Sequence, residues 1–422
     1  MLTDRFDNPI STTSQTASDL YRAAVDRLLA GQPGLTEGFA AVIKADPGFA
    51  LAYAGLARAH HFMGDMAEAR KAIGAASELL GGATAREQSH VSALVLMMAG
   101  KAPQAYQAVR AHLSDHPRDA VIAQTSSSIY GLIGFSGQPG REAETLAFLA
   151  TLLPHYGDDW WILSQYAFSL CETGQLSRAE AVIEKSLALN NENAHGAHVR
   201  SHILYEQGAV SDGIAYIDEW LKGYSNKGVM HGHLSWHQAL WTLKTGDIDG
   251  MWALADKAVT PSGAQASPPL SVVADTASLL HRAELAGVPV SPERWAAISA
   301  FCTRFFPSPG NAFVDMHAAV AHAMAGEGAA LERIISTPAG PAADLVPDIA
   351  RGFQHMAKAD WASATQYLSR AMTDTARLGG SRAQRDVVEH SLLACLMRQG
   401  RTEEAKRLAV LRRPVLADAV GA

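Results

Sequence analysis

Apolar residues recur along this chain at helical spacing, in stretches that each end at a glycine or a short polar turn and then resume. One phrase returns throughout: an apolar helix, a glycine, a polar turn, and a second helix with an alanine five positions beyond the glycine. Its clearest copies are Gly64-Asp65-Met66-Ala67-Glu68-Ala69, Gly174-Gln175-Leu176-Ser177-Arg178-Ala179 and Gly400-Arg401-Thr402-Glu403-Glu404-Ala405. Weaker copies sit at Gly100, Gly208, Gly246, Gly287 and Gly326, while Gly137 and the turn Ala359-Asp360-Trp361 fill two gaps. Nine intervals between Gly64 and Gly400 give a period of about 37 residues, within the range of helix-pair repeats. Glycine at the turn closes the first helix in a left-handed conformation, and the small alanine lets the two helices approach. Breaks such as Asp46-Pro47 and His116-Pro117 separate one unit from the next. A single hairpin cannot bury its own apolar face, so the units must stack on one another.

This unit resembles the tetratricopeptide repeat. The resemblance implies an all-α fold, a right-handed α-solenoid of about ten TPR-like helix-turn-helix repeats. Residues 1–17, rich in Ser and Thr, are expected to form a flexible N-terminal arm, and residues 18–422 a single solenoid domain. Two long connections, Thr260 to Pro269 and Phe306 to Gly310, interrupt the pattern without ending it; such loops fall on one edge of a solenoid and cover its groove.

Composition agrees with a helical array. Of 422 residues, 48% are hydrophobic, 18% charged and only 7% aromatic, which suits helices packed through small side chains. A net charge of −7 with no basic tract argues against a nucleic-acid partner, because affinity for phosphate backbones rests on Lys and Arg. No apolar stretch is long enough for a bilayer, the first residues lack the pattern of a signal peptide, and the three scattered cysteines fit reduced thiols. The expected setting is the cytoplasm, with no membrane association. Glycine motifs for nucleotide or dinucleotide binding are absent, as is a G-x-S-x-G elbow.

With the turn glycine as position 15, the first helix of a tetratricopeptide unit lines the concave face near positions 2, 5, 9, 12 and 13. From Gly208 this family rule gives His195, His198, His202, Tyr205 and Glu206; from Gly246 it gives His233, Trp236 and Leu240, with His237 beside them. From Gly174 it gives Trp161, Ser164, Phe168, Cys171 and Glu172, from Gly287 His281, and from Gly326 Phe313 and Met316, with Asp315 and His317 adjacent. Spacing points the same way without the rule. His195, His198 and His202 stand at i, i+3 and i+7, and His233 and His237 at i and i+4, so each set forms one helical stripe.

Three chemistries suit such a cluster. Imidazoles one turn apart ligate a transition metal such as zinc, although the glutamate of H-E-x-x-H is missing. Without a metal, which is equally open, they work as general acid and base, with Asp315 orienting His317 or Glu172 orienting another ring. The third reading is structural: rings paired with each other, with carbonyls and with Tyr205. No attachment motif supports a haem.

Four segments resemble the tetratricopeptide repeat protein 38 family: Ala167 to Gly174, His198 to Leu204, Gly232 to Leu240, and Phe313 to Ala318, together with Glu87 to Leu94. The ordered set His-x-x-x-His, His-x-x-Trp-His and Asp-x-His singles out His198, His202, His233, His237, Asp315 and His317. One departure is Tyr205, where the family pattern carries an acidic residue.

These readings converge on an enclosed histidine-rich pocket that binds, and in an enzyme would transform, a small polar or aromatic molecule. His198, His202, His233, His237, Asp315 and His317 are its candidate catalytic residues. His195, Trp161, Phe168, Cys171, Glu172, Tyr205 and Trp236 are its candidate ligand contacts. The alternative is a scaffold holding a peptide partner in its concave groove. Oligomerisation through the solenoid ends is open.

Overall fold

A computed structural model describes residues 1–264 and 266–412. Those residues form an all-helical chain in which consecutive helices pair as antiparallel hairpins. Helix α1 (Gln15–Ala30) pairs with α2 (Leu35–Ala45), α3 (Ala50–Met63) with α4 (Met66–Glu78), and α5 (Ala85–Met98) with α6 (Ala102–Asp115). Next come α7 (Ala120–Ser127) with α8 (Arg141–Tyr156), α9 (Trp160–Glu172) with α10 (Leu176–Leu189), and α11 (Ala194–Gln207) with α12 (Val210–Leu221). Helix α13 (His231–Lys244) pairs with α14 (Ile248–Leu254), α15 (Pro269–Leu285) with α16 (Pro292–Phe305), and α17 (Ala312–Ala325) with α18 (Gly328–Ser336). The last pairs are α19 (Val346–Met356) with α20 (Trp361–Ala371) and α21 (Arg382–Arg398) with α22 (Thr402–Arg412).

The first helices of successive hairpins also pack on one another, α9 on α11, α13 on α15 and α15 on α17, so the array is an α-solenoid. The described residues hold eleven hairpins rather than about ten. The extra one, α1–α2, turns at Gly31, whose φ of 67° makes it a repeat glycine like Gly64. Buried alanines line the helix contacts: Ala69, Ala179 and Ala405, each five residues beyond its turn glycine, are fully buried.

Residues before α1 differ from the expected flexible arm. Phe6 and Ile10 are buried, and Phe6 meets Tyr156 and Trp161 edge-on at 5.2 and 6.4 Å. The Asp4 carboxylate accepts the backbone N–H groups of Phe6 and Asn8, and Asp4 lies 3.3 Å from the Arg86 guanidinium. Two apolar anchors and one buried ion pair hold the segment against α5, α8 and α9, which its Ser and Thr content does not reveal.

Hairpins far apart in sequence also meet. Tyr224, after α12, donates to the carbonyl of Gly31, and Gln32 donates to that of Glu192. Arg141 at the start of α8 donates to the carbonyls of Ala376 and Gly380, before α21, and Arg385 pairs with Glu142. The solenoid is therefore wound tightly enough that its turns touch, and α21 runs along α15 and α11. No helix among the described residues is long and apolar enough to cross a membrane.

Candidate functional site

Four imidazoles from α11 and α13 converge where these helices face α15. His198 and His202 lie one turn apart on α11, His233 and His237 one turn apart on α13, and none is more than 6% exposed. Their ligand nitrogens all lie within 4.8 Å of one another. His198 Nε2 is 2.8 Å from His202 Nε2 and 3.0 Å from His233 Nε2. Neither ring nitrogen of His237 has a hydrogen-bond partner, although both are buried.

Proton counting sets this cluster apart from an ordinary hydrogen-bonded group. A ring nitrogen carries either one in-plane proton or one in-plane lone pair. His198 Nε2 faces two other Nε2 atoms, so its single proton or lone pair satisfies only one of the contacts. Converging lone pairs around a cation would satisfy all of them. Zinc–imidazole bonds of about 2.0–2.1 Å give nitrogen–nitrogen edges of about 3.4 Å in a tetrahedron, the same order as the spacings here.

Asp275, on α15, completes the arrangement. Both its oxygens lie 2.9 Å from His233 Nδ1. With the carboxylate as acceptor, Nδ1 carries the proton and Nε2 presents its lone pair to the cluster, as in the carboxylate–histidine pairs that orient metal ligands. Burial, and then the neighbouring imidazoles, hold His198 and His237 well below the ordinary histidine value, in the neutral form that binds metals.

The walls are aromatic. The Phe168 ring stands 5.3 Å from His198 and 4.9 Å from His202. Trp236 stacks on His233 at 5.1 Å and donates its indole N–H to Ser278 at 3.0 Å. Tyr205 donates to Asp386 at 2.8 Å and accepts from Arg282 at 3.0 Å.

The remaining expected residues lie elsewhere. The His195 ring turns away from the cluster to meet Phe62 edge-on at 5.9 Å, and burial lowers it to about 4. Trp161 packs with Phe6 and Tyr156 in the core. Cys171 is buried in the apolar cluster of Ala167, Leu170 and Ile183. Glu172 points to α21, accepting the backbone N–H of Arg382 at 2.8 Å, and burial pushes it up to about 7. Asp315 does not orient His317: its carboxylate accepts the backbone N–H of Gly310 at 3.0 Å, whereas His317 Nδ1 donates to the carbonyl of Phe313 at 2.8 Å. Residues two apart on a helix face different ways, so this pairing was sterically closed.

Asp275, Ser278 and Arg282 were missed. They form the stripe i, i+3, i+7 on α15, one polar face of a helix that also carries Ser271, Thr276, His281 and Glu284, and that stripe was the available signal. Counting back from Gly287 lands one residue off, on the face that carries His281, which meets Ser391 at 2.7 Å.

A second group, His90, His112 and Asp119, also has metal-ligand spacing. There Arg86 already supplies the cation: Asp119 Oδ2 lies 2.6 Å from its guanidinium, 2.9 Å from His90 and 3.1 Å from His112. The other His112 nitrogen meets the Ser89 hydroxyl at 2.7 Å, so the group is an ion-pair network centred on Asp119.

No protein-family model matches the chain. Among solved structures, it is similar to the human IFIT1 dimer with m7Gppp-AAAA at 15% identity, with 100% of this chain and 98% of that chain covered and a TM-score of 0.48. It is also similar to yeast Tom70, at 13% identity over 97% and 89% of the two chains with a TM-score of 0.36. For the P58(IPK) TPR domain the identity is 14% over 94% and 98%, with a TM-score of 0.20. The ligand in the first of these names is that protein's own. The TPR-like architecture of this chain rests on its own stacked hairpins.

Proposed function

We propose that this chain is a metal-binding helical-repeat protein whose inner helices hold a divalent transition metal, zinc by the chemistry of the donor set. His198, His202, His233 and His237 are the ligands, and Asp275 is the positioning residue behind His233. The observation that carries this reading is the convergence of four buried imidazoles on contacts that their protons cannot all satisfy. Four protein ligands close a tetrahedral zinc ion, whereas zinc that does chemistry keeps a position for water or substrate. Metal-assisted chemistry on a small polar molecule here therefore uses a fifth position beside the four imidazoles, with Phe168 and Trp236 as its apolar walls.

The four ligands are also among the positions on which the resemblance to the tetratricopeptide repeat protein 38 family rests, and that resemblance supports the proposal that the chain belongs to this family. The three buried cysteines, not joined in disulfides, suit a reducing compartment, the cytoplasm.

Metal analysis with native mass spectrometry, on protein purified without a histidine tag or chelating resin, tests the reading. The wild type is expected to carry or take up a stoichiometric ion, and the double variant His198→Ala/His237→Ala to lose it. A wild-type protein that arrives metal-free and takes up neither zinc nor cobalt would overturn the proposal. The rival reading, a peptide held in the concave groove, is compatible with the repeat architecture; it requires that the same double variant keep its peptide partner.

A further inference from the structure

We propose that an anion subsite built on Arg282 adjoins the four-histidine centre, and that the small molecule taken there is a carboxylate. The inference rests on the metal-binding reading and adds the charge and class of the ligand.

Arg282 lies two turns along α15 from Asp275, on the same stripe, and is 8% exposed. Its guanidinium carbon stands 5.9 Å from the ring of Trp236, the indole that stacks on His233. One terminal nitrogen donates to the Tyr205 hydroxyl at 3.0 Å, and the other donates to the carbonyl of Ala383. The third nitrogen, Nε, is buried and its N–H has no partner. No ion pair to Arg282 is found among the described residues; Asp386 is reached only through the Tyr205 hydroxyl, which donates to it.

A buried guanidinium without a direct counter-ion is costly, and a partner of opposite charge offsets that cost. Charge bookkeeping at the loaded site gives the same sign. With the four imidazoles as uncharged ligands, a divalent ion and Arg282 outweigh the two nearby acids named here, Asp275 and Asp386, and positive charge remains. A carboxylate has two oxygens, one for the Nε–H donor and one to enter as a fifth ligand beside the four imidazoles, and guanidinium matches that planar group better than a point charge would.

The test uses the full chain loaded with cobalt(II), whose visible d–d bands report the metal's ligands, titrated with sodium acetate as the probe. Cobalt content is measured in parallel for the wild type, Arg282→Gln and Arg282→Lys. The wild-type bands are expected to shift saturably with acetate. Arg282→Gln should weaken the acetate response about tenfold or more at unchanged cobalt content. Arg282→Lys keeps the charge without the Nε donor and should fall between the two, which preserves the test if the glutamine variant does not fold. Failure of the wild type to take up cobalt overturns the metal reading and this inference with it. Uptake with bands indifferent to acetate, or a response equally strong in both variants, overturns this inference alone.

Discussion

Buried imidazoles give this protein a specific acid response. Burial holds His195 at about 4, His281 at about 3 and His317 at about 4, and holds His198 and His237 well below the ordinary value near 6.5. Below pH 6.5 the unfolded chain takes up protons that these five native rings refuse. Stability therefore falls as pH drops from 6.5 toward 4, by roughly 1.4 kcal/mol per pH unit for each ring. Glu172, pushed up to about 7, and Asp315, pushed up to about 6, act oppositely, because the native state holds their protons where the unfolded chain has lost them. His61, held at about 3, His322, held at about 4, and His116 and His231 add to the loss, while burial also raises Asp4, Asp26 and Glu284; nine lowered rings against five raised carboxyls leave a net loss. Urea unfolding of metal-free protein at pH 7.5, 6.5 and 5.5 should show the midpoint falling steadily below 6.5, and a flat profile would contradict the neutral state assigned to these rings. At this scale the sequence exposed half of the site. The paired imidazoles of α11 and α13 were legible because helical spacing fixes which residues share a face. Asp275 and Arg282 were not, because α15 spans seventeen residues and its inner face runs one position out of register with the count from Gly287.

Hairpins were legible for a related reason: a glycine that must adopt positive φ marks where one helix stops. Two elements departed from the pattern. Helix α7 is only eight residues long, and the chain from Ser128 to Gly140 turns inward, where Tyr130 accepts a hydrogen bond from Gln384 and stacks on Phe135 at 5.5 Å. A loop that covers the interior thus follows α7, besides the two connections marked by their prolines. The other departure is the α19–α20 turn, where Ala359 takes the glycine position with φ 55°. An L-residue with a Cβ in this region costs about 1–2 kcal/mol, and the side chain is exposed, so nothing packs against it in compensation. Ala359→Gly should raise stability by about 0.5–1 kcal/mol after the added entropy of the unfolded chain is subtracted. Thermal unfolding read by circular dichroism checks this, and a lowered midpoint would mean that the turn is not strained.

For the whole molecule, the interaction that repeat logic does not anticipate is contact between distant hairpins. A simple solenoid is stabilised by its units and their nearest neighbours, and long arrays of that kind lose cooperativity. Here α8 is tied to the segment before α21 across more than 230 residues of sequence, through Arg141 to the carbonyls of Ala376 and Gly380. Arg141 is 2% exposed, so truncating it removes two charge-assisted hydrogen bonds from a buried site. Periodicity in sequence shows that helices stack but not how tightly the stack curls, which is why this closure was invisible before the coordinates. It also bears on the candidate site, since α21 lies against α15 and α11, the helices that carry Asp275, Arg282, His198 and His202. Arg141→Ala should therefore do more than lower stability. Losing these bonds, with the Arg385–Glu142 pair left between α8 and α21, is expected to cost about 1–3 kcal/mol and to let hairpins on either side of the tie unfold separately. Urea unfolding followed by tryptophan fluorescence and by far-ultraviolet circular dichroism reads both effects. The wild-type transitions should coincide, and those of the variant should separate. Coincident transitions in the variant would show that nearest-neighbour stacking alone makes the solenoid cooperative.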